Sequence, residues 1–318
     1  MFTTHLSPRL LAVLQALFVT FLWSTSWVLI KFGMREQLPP LTFAGLRYML
    51  AFLILLPLLL RRPAQITVLR QLPRQTWLSL IALGLLLYSI TQGSQFVGLK
   101  LLPAITVNLL LTFIAVVVAF LGIWLLGERP SRLQWVGISL YLVGVLIYFY
   151  PFNIPQDAIG GIAVVWIGVI SGALSAILGR KLNQHGQLAP LTITVTSMGI
   201  GAVLLLTTGI ALDGWPVISL SGWLIILWLA VVNTAFAFTL WNHTLKTLTA
   251  LESSIINNAM MIQIPLLAWL FLGEELTPKV VAGLIFAGGG ILIVQLRNLP
   301  QRRPSPVPVT TYPSESPR

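Results

Sequence analysis

The sequence predicts an all-α integral membrane protein of ten transmembrane helices, built as two inverted five-helix repeats. Three observations carry that expectation. Hydrophobic residues make up 57% of the 318 positions and charged residues 8%, at a mean hydropathy of +0.91. A water-soluble globule of this length cannot hide so much apolar surface, so lipid must solvate it. Ten apolar stretches of about 20 residues, the length that crosses the hydrocarbon core, can be drawn along the chain. One segment also occurs twice at an offset of 146 positions, and a fixed long-range offset with matching context marks a duplicated unit.

The stretches follow in order. The first, Leu10 to Phe32, is longer than a signal-peptide core and lacks a small-x-small exit, so it stays as a membrane helix. Leu41 to Leu60 carries an embedded charge, Arg47. Thr76 to Val97 carries Tyr88, Gln92 and Gln95 on one helical face, and Leu102 to Leu126 carries Asn108 and Thr112 at a spacing of four. Leu133 to Tyr150 follows the turn Arg129-Pro130-Ser131. Ile159 to Gly179 contains Gly168 and Gly172, a spacing that permits close helix packing. Pro190 to Leu212 and Ser221 to Asn242 come next. Leu251 to Leu272 opens on Glu252, a charge welcome at a helix N-terminus. In Val280 to Leu296, Gly288-Gly289-Gly290 reads as a packing surface and not a phosphate loop, since no strand precedes it.

Residues 1–9 are then an N-terminal segment, 10–150 the first repeat, 151–158 a linker, 159–297 the second repeat, and 298–318 a Pro- and Ser-rich tail expected to be disordered. Cytoplasmic loops carry an excess of Lys and Arg. With the N-terminus inside, 14 of the 19 cations fall on the cytoplasmic side; Lys31, Arg35, Lys100 and Lys279 fall on the other, and Arg47 lies within a helix. Both termini are therefore expected in the cytoplasm.

The matched pairs are Gly127-Glu128 with Gly273-Glu274, Leu99-Lys100 with Leu245-Lys246, Ala104 with Ala250, Gly137 with Gly283, and Gly144 with Gly290. Five helices per half is an odd number, so the second half enters the membrane upside down. Inverted repeats supply two near-equivalent conformations, one open to each face.

Several classes are disfavoured. Without cysteine there is no disulfide, thiolate metal site or cysteine nucleophile. His5, His185 and His243 show no ligand spacing, so no metal or other cofactor is expected. The net charge of +11 reports membrane orientation and not nucleic-acid binding, because the cations sit between apolar spans. An embedded enzyme would need a convergent acid, base or metal cluster, which the chain does not offer. The sequence leaves open whether two copies associate.

The run Leu99 to Ile147, with Gly127-Glu128-Arg129, Gly137 and Gly144, resembles the EamA-type repeat of the drug/metabolite transporter superfamily, and Leu245 to Ile293 resembles its second copy. Leu22-Trp23-Ser24 through Lys31-Phe32 is similar to the start of such a repeat, and Pro40-Leu41 through Arg47-Tyr48 and Ala51 to its second helix. The resemblance implies a multi-pass transporter of the cell (inner) membrane that exports a small organic metabolite, an amino acid being one option. Helices five and ten would be peripheral. Aromatic amino-acid exporters belong to this group. The chain departs from the pattern in having Pro265 in the ninth helix but Ala119 at the matching place in the fourth, and in lacking second copies of Trp23 and Arg47. A lipid flippase or a non-transporting membrane subunit is the alternative reading.

Polar side chains inside lipid-embedded helices must find partners. The candidate substrate-binding residues are Trp23, Ser26, Lys31, Arg47, Tyr88, Gln92, Gln95, Asn108, Thr112, Trp241, Asn242, Asn257 and Asn258. Arg47, roughly 9 Å inside its helix at 1.5 Å per residue, could hold a carboxylate or phosphate, or it could snorkel or bond a backbone carbonyl. For the neutral residues, helix-to-helix hydrogen bonds are the competing explanation. Glu128 and Glu274 read as caps of the helices that follow them. No carboxylate falls at mid-membrane, which favours a neutral, zwitterionic or anionic solute over a cationic one.

Overall fold

A computed structural model of the chain describes residues 7–126, 131–151, 155–184, 188–244, 247–248, 253 and 256–296, without the side chains of 122–126, 184, 242 and 295–296. Gly127, Glu128, Lys246, Ala250, Leu251, Glu252, His5, His185, the tail and the Asn242 side chain thus lie outside the described residues.

Every regular element among the described residues is helical. Helix α1 (Pro8–Arg35) starts where Ser7 accepts a hydrogen bond from the Leu10 N–H at 3.3 Å, with proline at its first position. Next come α2 (Pro40–Leu60) and α3 (Pro63–Arg70), the latter a short helix with no counterpart in the sequence reading. α4 runs through Arg74–Leu83, a π-helical stretch Gly84–Thr91, and Gln92–Leu101. The fourth apolar stretch is broken at Thr112 into α5 (Ala104–Leu111) and α6 (Phe113–Leu126). α7 (Arg132–Phe149) opens with a capping box between Ser131 and Gln134. α8 (Gln156–Gln184) and α9 (Pro190–Asp213) are continuous. α10 runs through Leu220–Ala230, a second π-helical stretch Val231–Phe236, and Ala237–Thr244. α11 (Met260–Leu272) contains Pro265, and α12 (Pro278–Leu296) ends the bundle.

Among the described residues eight spans, with α5 and α6 taken as one, are long and apolar enough to cross a membrane; α11 and α12 are shorter apolar helices. Leu53, Ile54, Leu142, Ile170, Leu224, Trp228 and Ile285 stand exposed on the outside of the bundle. In water that pattern would be a defect, whereas in lipid it is the solvated surface.

Cross-links define the two ends of the bundle. At one, Gln65 Oε1 accepts from the Ala189 N–H at 2.9 Å and the Thr192 hydroxyl at 3.0 Å. At the other, the Ser219 hydroxyl donates to Glu36 at 2.8 Å and Lys279 Nζ donates to the Tyr150 carbonyl at 2.6 Å. Hydrogen bonds from Ser219 and then Ser221 hold the Glu36 carboxyl below its ordinary pKa.

Helices α7 and α12 pack backbone to backbone along much of their length. A Cβ on Gly137 would fall 2.7 Å from the Gly290 carbonyl oxygen, and one on Gly144 would fall 2.5 Å from that of Gly283. Gly137 and Gly144 are the first-half partners of Gly283 and Gly290 at the 146-residue offset, so each glycine meets the copy of the other. Without a hydrophobic drive between helices in lipid, such backbone contact is what holds them.

Candidate functional site

The centre of the bundle holds a cavity of about 690 Å³, within the usual size range of small-molecule sites. Tyr88, Gln92 and Gln95 of α4 line it, as their spacing predicts, and so do Asn108 of α5 and the Thr112 that follows it. Asn257 and Asn258, just before α11, complete the set of anticipated residues brought together here. Helix faces explain the agreement, since a side chain's direction around a helix is fixed locally.

Other lining residues were not anticipated: Ser175 and Asn183 of α8, Thr194 and Ser197 of α9, Trp27 of α1 and Thr91 of α4. Serine and threonine bond readily to their own helix, as Ser197 does to the Ile193 carbonyl at 2.6 Å, so sequence offers no signal that separates lining hydroxyls from buried ones. Among the described residues that line the cavity none carries a charge.

The π-helical stretch of α4 borders this wall, and its displaced carbonyls are satisfied by hydroxyls. Thr91 Oγ1 donates to Leu86 O at 2.7 Å and Ser171 Oγ donates to the same oxygen at 2.8 Å. In α10 Thr234 Oγ1 donates to Leu229 O, five residues back, at 2.8 Å. A membrane helix tolerates such distortions only when the freed groups find partners, and π turns recur at functional sites.

The remaining candidates with described side chains lie away from this lining. Arg47 is 5% exposed, with Nε donating to Thr234 Oγ1 at 3.0 Å, Nη2 reaching Ser26 Oγ at 3.5 Å, and its guanidinium 5.2 Å from the Tyr48 ring centroid. It therefore joins α1, α2 and α10. Trp23 stacks at a tilt against Phe238 and Trp241, at centroid distances of 5.4 and 5.2 Å. Ser24 Oγ lies 2.9 Å from Gln263 Oε1, tying α1 to α11.

The cavity extends from the end of the bundle that carries Leu83, Asn183 and Ile193 to Asn108, one turn inside the opposite end. At that opposite end the helices are tied together. Lys31 Nζ donates to the Leu102 carbonyl at 2.6 Å, and the Glu274 carboxylate accepts the backbone N–H groups of Ala104 and of Ile105, the latter at 2.9 Å. Glu274 is thus a cap, but of α5 and not of the α12 that follows it. Lys31, Arg35, Lys100 and Glu274 also border a separate cavity of about 490 Å³ at this end. A lateral groove of about 440 Å³ runs between α11 and α12 past Pro265, Ile285, Gly288 and Gly289, and shares Asn258 and Met261 with the central cavity.

A helical bundle that is apolar both in its core and on its outer face, around a cavity with amide and hydroxyl groups and no charge in its described lining, is the architecture of a multi-pass membrane transport protein. The chain belongs to the EamA-like transporter family, whose profile matches residues 10–150 and 159–296. It is 29% identical over 252 residues to the uncharacterized inner membrane transporter YedA of Escherichia coli strain K12, covering 76% of each chain. It is 27% identical over 288 residues to a "Probable amino-acid metabolite efflux pump" of Salmonella typhimurium, covering 87% of this chain and 92% of the other. A third relative, the S-adenosylmethionine/S-adenosylhomocysteine transporter of Chlamydia trachomatis serovar L2, is 26% identical over 289 residues, covering 86% and 84%. A protein of known crystal structure superposes with a TM-score of 0.61 at 18% identity, covering 90% of this chain and 97% of its own, and shares the fold.

Proposed function

We propose that this protein is an inner-membrane exporter of a small organic solute without net charge, an amino acid or a related metabolite, working by alternating access of two inverted five-helix repeats. The observation that carries the reading is the central cavity, polar through Gln92, Gln95, Asn108 and Asn257, uncharged in its described lining, and tied at one end by Lys31 and Glu274. A zwitterion or neutral solute loses water to amides and hydroxyls there, whereas an ion would be left without a counter-charge. The 146-residue offset and the glycine contacts between α7 and α12 support the inverted arrangement. The excess of cations on the side that carries Arg61, Arg62, Arg70 and Arg74 supports a cytoplasmic open end, together with cytoplasmic termini. The relative named as an amino-acid metabolite efflux pump supports the direction and the solute class.

A counterflow screen in proteoliposomes with labelled amino acids, sugars and nucleosides tests this. Exchange of at least one amino acid is expected; exchange confined to sugars or nucleosides would move the substrate class, and none at all would remove the transport reading for these solutes.

The lateral groove favours a second reading, a lipid flippase, because its apolar wall opens between α11 and α12 and meets the cavity at Asn258. Translocation of a fluorescent phospholipid across the same proteoliposomes separates the two.

A further inference from the structure

We infer that the side-chain amide of Asn108 is the anchor of the transported solute, and that the solute presents to it an acceptor oxygen, the carbonyl or carboxylate of a molecule with no net charge. The inference rests on the transport reading above and names the chemistry of its site. Asn108 is 5% exposed, lines the central cavity, and has its Nδ2 buried with no hydrogen-bond partner. A buried donor that no group of the protein pairs with, and that faces a cavity, marks a place where something entering that cavity can complete it.

Three other buried side-chain atoms are unpaired among the described residues: Trp23 Nε1, Thr42 Oγ1 and Asn233 Oδ1. None of those residues lines the cavity, which singles out Asn108 as the orphan facing a space that a solute can enter. Its neighbour one turn on does not pair with it and is engaged elsewhere. The Thr112 hydroxyl is 3.0 Å from the Tyr141 hydroxyl and donates to the Leu109 carbonyl at 2.6 Å, and Tyr141 also donates to Leu109 O at 2.9 Å.

Charge sets the rest of the solute's chemistry. With no cation in the described lining, an acceptor oxygen on Asn108 must belong to a neutral molecule or carry its own compensating positive group. Position sets its consequence. Asn108 lies one turn from Ala104 and Ile105, the residues whose N–H groups Glu274 holds, so the anchored oxygen bears on the same helix that is tied at the far end.

The test measures two quantities on the full chain in lipid nanodiscs and proteoliposomes. For Asn108→Leu, near in shape but without a donor, the Tm of the empty protein is expected to stay level or rise, because an unpaired donor is removed. The half-saturation concentration of the best-exchanged labelled amino acid is expected to rise about tenfold, the equivalent of one lost hydrogen bond. Asn108→Ser, smaller and still a donor, should fall between. A lower Tm for the empty Asn108→Leu protein would show the amide to be structural and overturn the inference, as would an unchanged half-saturation. The Tm measurement needs no solute, so a wild-type protein that exchanges no amino acid counts against the transport reading and leaves the anchor decided on stability.

Discussion

Glu274 accepts the backbone N–H of Ile105 at 2.9 Å, across 169 positions of sequence. The same carboxylate takes the Ala104 N–H, so the second half of the chain caps the first turn of α5 in the first half. The chain leaves α11 through Gly273 at φ 72°, a left-handed conformation that glycine adopts without strain. That turn returns the Glu274 N–H to the Ala268 carbonyl at 3.3 Å and carries the side chain back over the bundle. A carboxylate against a helix N-terminus gains from both the hydrogen bonds and the dipole.

Opening the tied end must break those bonds. Glu274→Gln keeps one acceptor but loses the charge, and hydrogen bonds to charged groups contribute about 1.5 to 3 kcal/mol. The tied state should therefore lose roughly a tenfold or larger share of its population. The chain has no cysteine, so a single Thr106→Cys on α5 reports cleanly. Its labelling by a membrane-impermeant maleimide from the tied side should rise when Glu274→Gln is added, and equal labelling with and without that substitution would refute the latch.

Lys31 reinforces the same closure through the Leu102 carbonyl. Lys31→Met should raise labelling at the same reporter. Because both contacts hold the α4–α5 corner, the double substitution with Glu274→Gln should depart from additivity by about 0.5 to 3 kcal/mol, the range for residues sharing one network. Strict additivity in a double-mutant cycle would separate the two contacts.

Gln92 and Gln95 face the cavity without a charged neighbour. Leucine at either position should raise KM by about tenfold with little change in kcat, the pattern of lost uniform binding. Proteoliposome exchange kinetics read the two parameters apart.

Arg47 braces α1, α2 and α10 in this conformation. Arg47→Ala should cut folded yield and Tm, with loss of about 1.5 to 3 kcal/mol from its charge-assisted bond to Thr234. Arg47→Lys should not restore it, since an ammonium cannot reproduce the planar fork. Wild-type Tm with abolished exchange would instead assign Arg47 to transport.

Glycines on α12 and its partner should answer substitution in opposite ways. A Cβ at Gly144 would sit 2.4 Å from the Ala287 nitrogen, whereas one at Gly288 meets nothing within 4 Å. Gly144→Ala should destabilise strongly, while Gly288→Ala should gain about 0.5 to 1 kcal/mol from reduced backbone entropy. Thermal unfolding of the two variants in nanodiscs checks the contrast.

Much of the bundle was legible in the residues. Apolar runs place the helices, and local spacing puts Tyr88, Gln92 and Gln95 on one face of α4 and Asn108 with Thr112 on another, because a helix sets side-chain directions from its own repeat. The breaks were less legible. The π-helical stretches at Gly84–Thr91 and Val231–Phe236 arise where hydroxyls such as Thr91, Ser171 and Thr234 can take displaced carbonyls, and some of those hydroxyls come from another helix.

What the chain alone determined was the all-helical membrane class and the approximate place of most apolar helices, since hydropathy depends on nothing beyond the chain. Packing decided which polar groups meet. Arg47 finds Thr234 at a separation of 187 positions and Glu274 finds Ile105 at 169. Asn108, by contrast, is left with an unpaired N–H at the end of the cavity. Such pairings depend on the rotation and depth of helices far apart in sequence, and in lipid those are set by backbone contacts such as Gly144 on Gly283, which a local pattern does not encode.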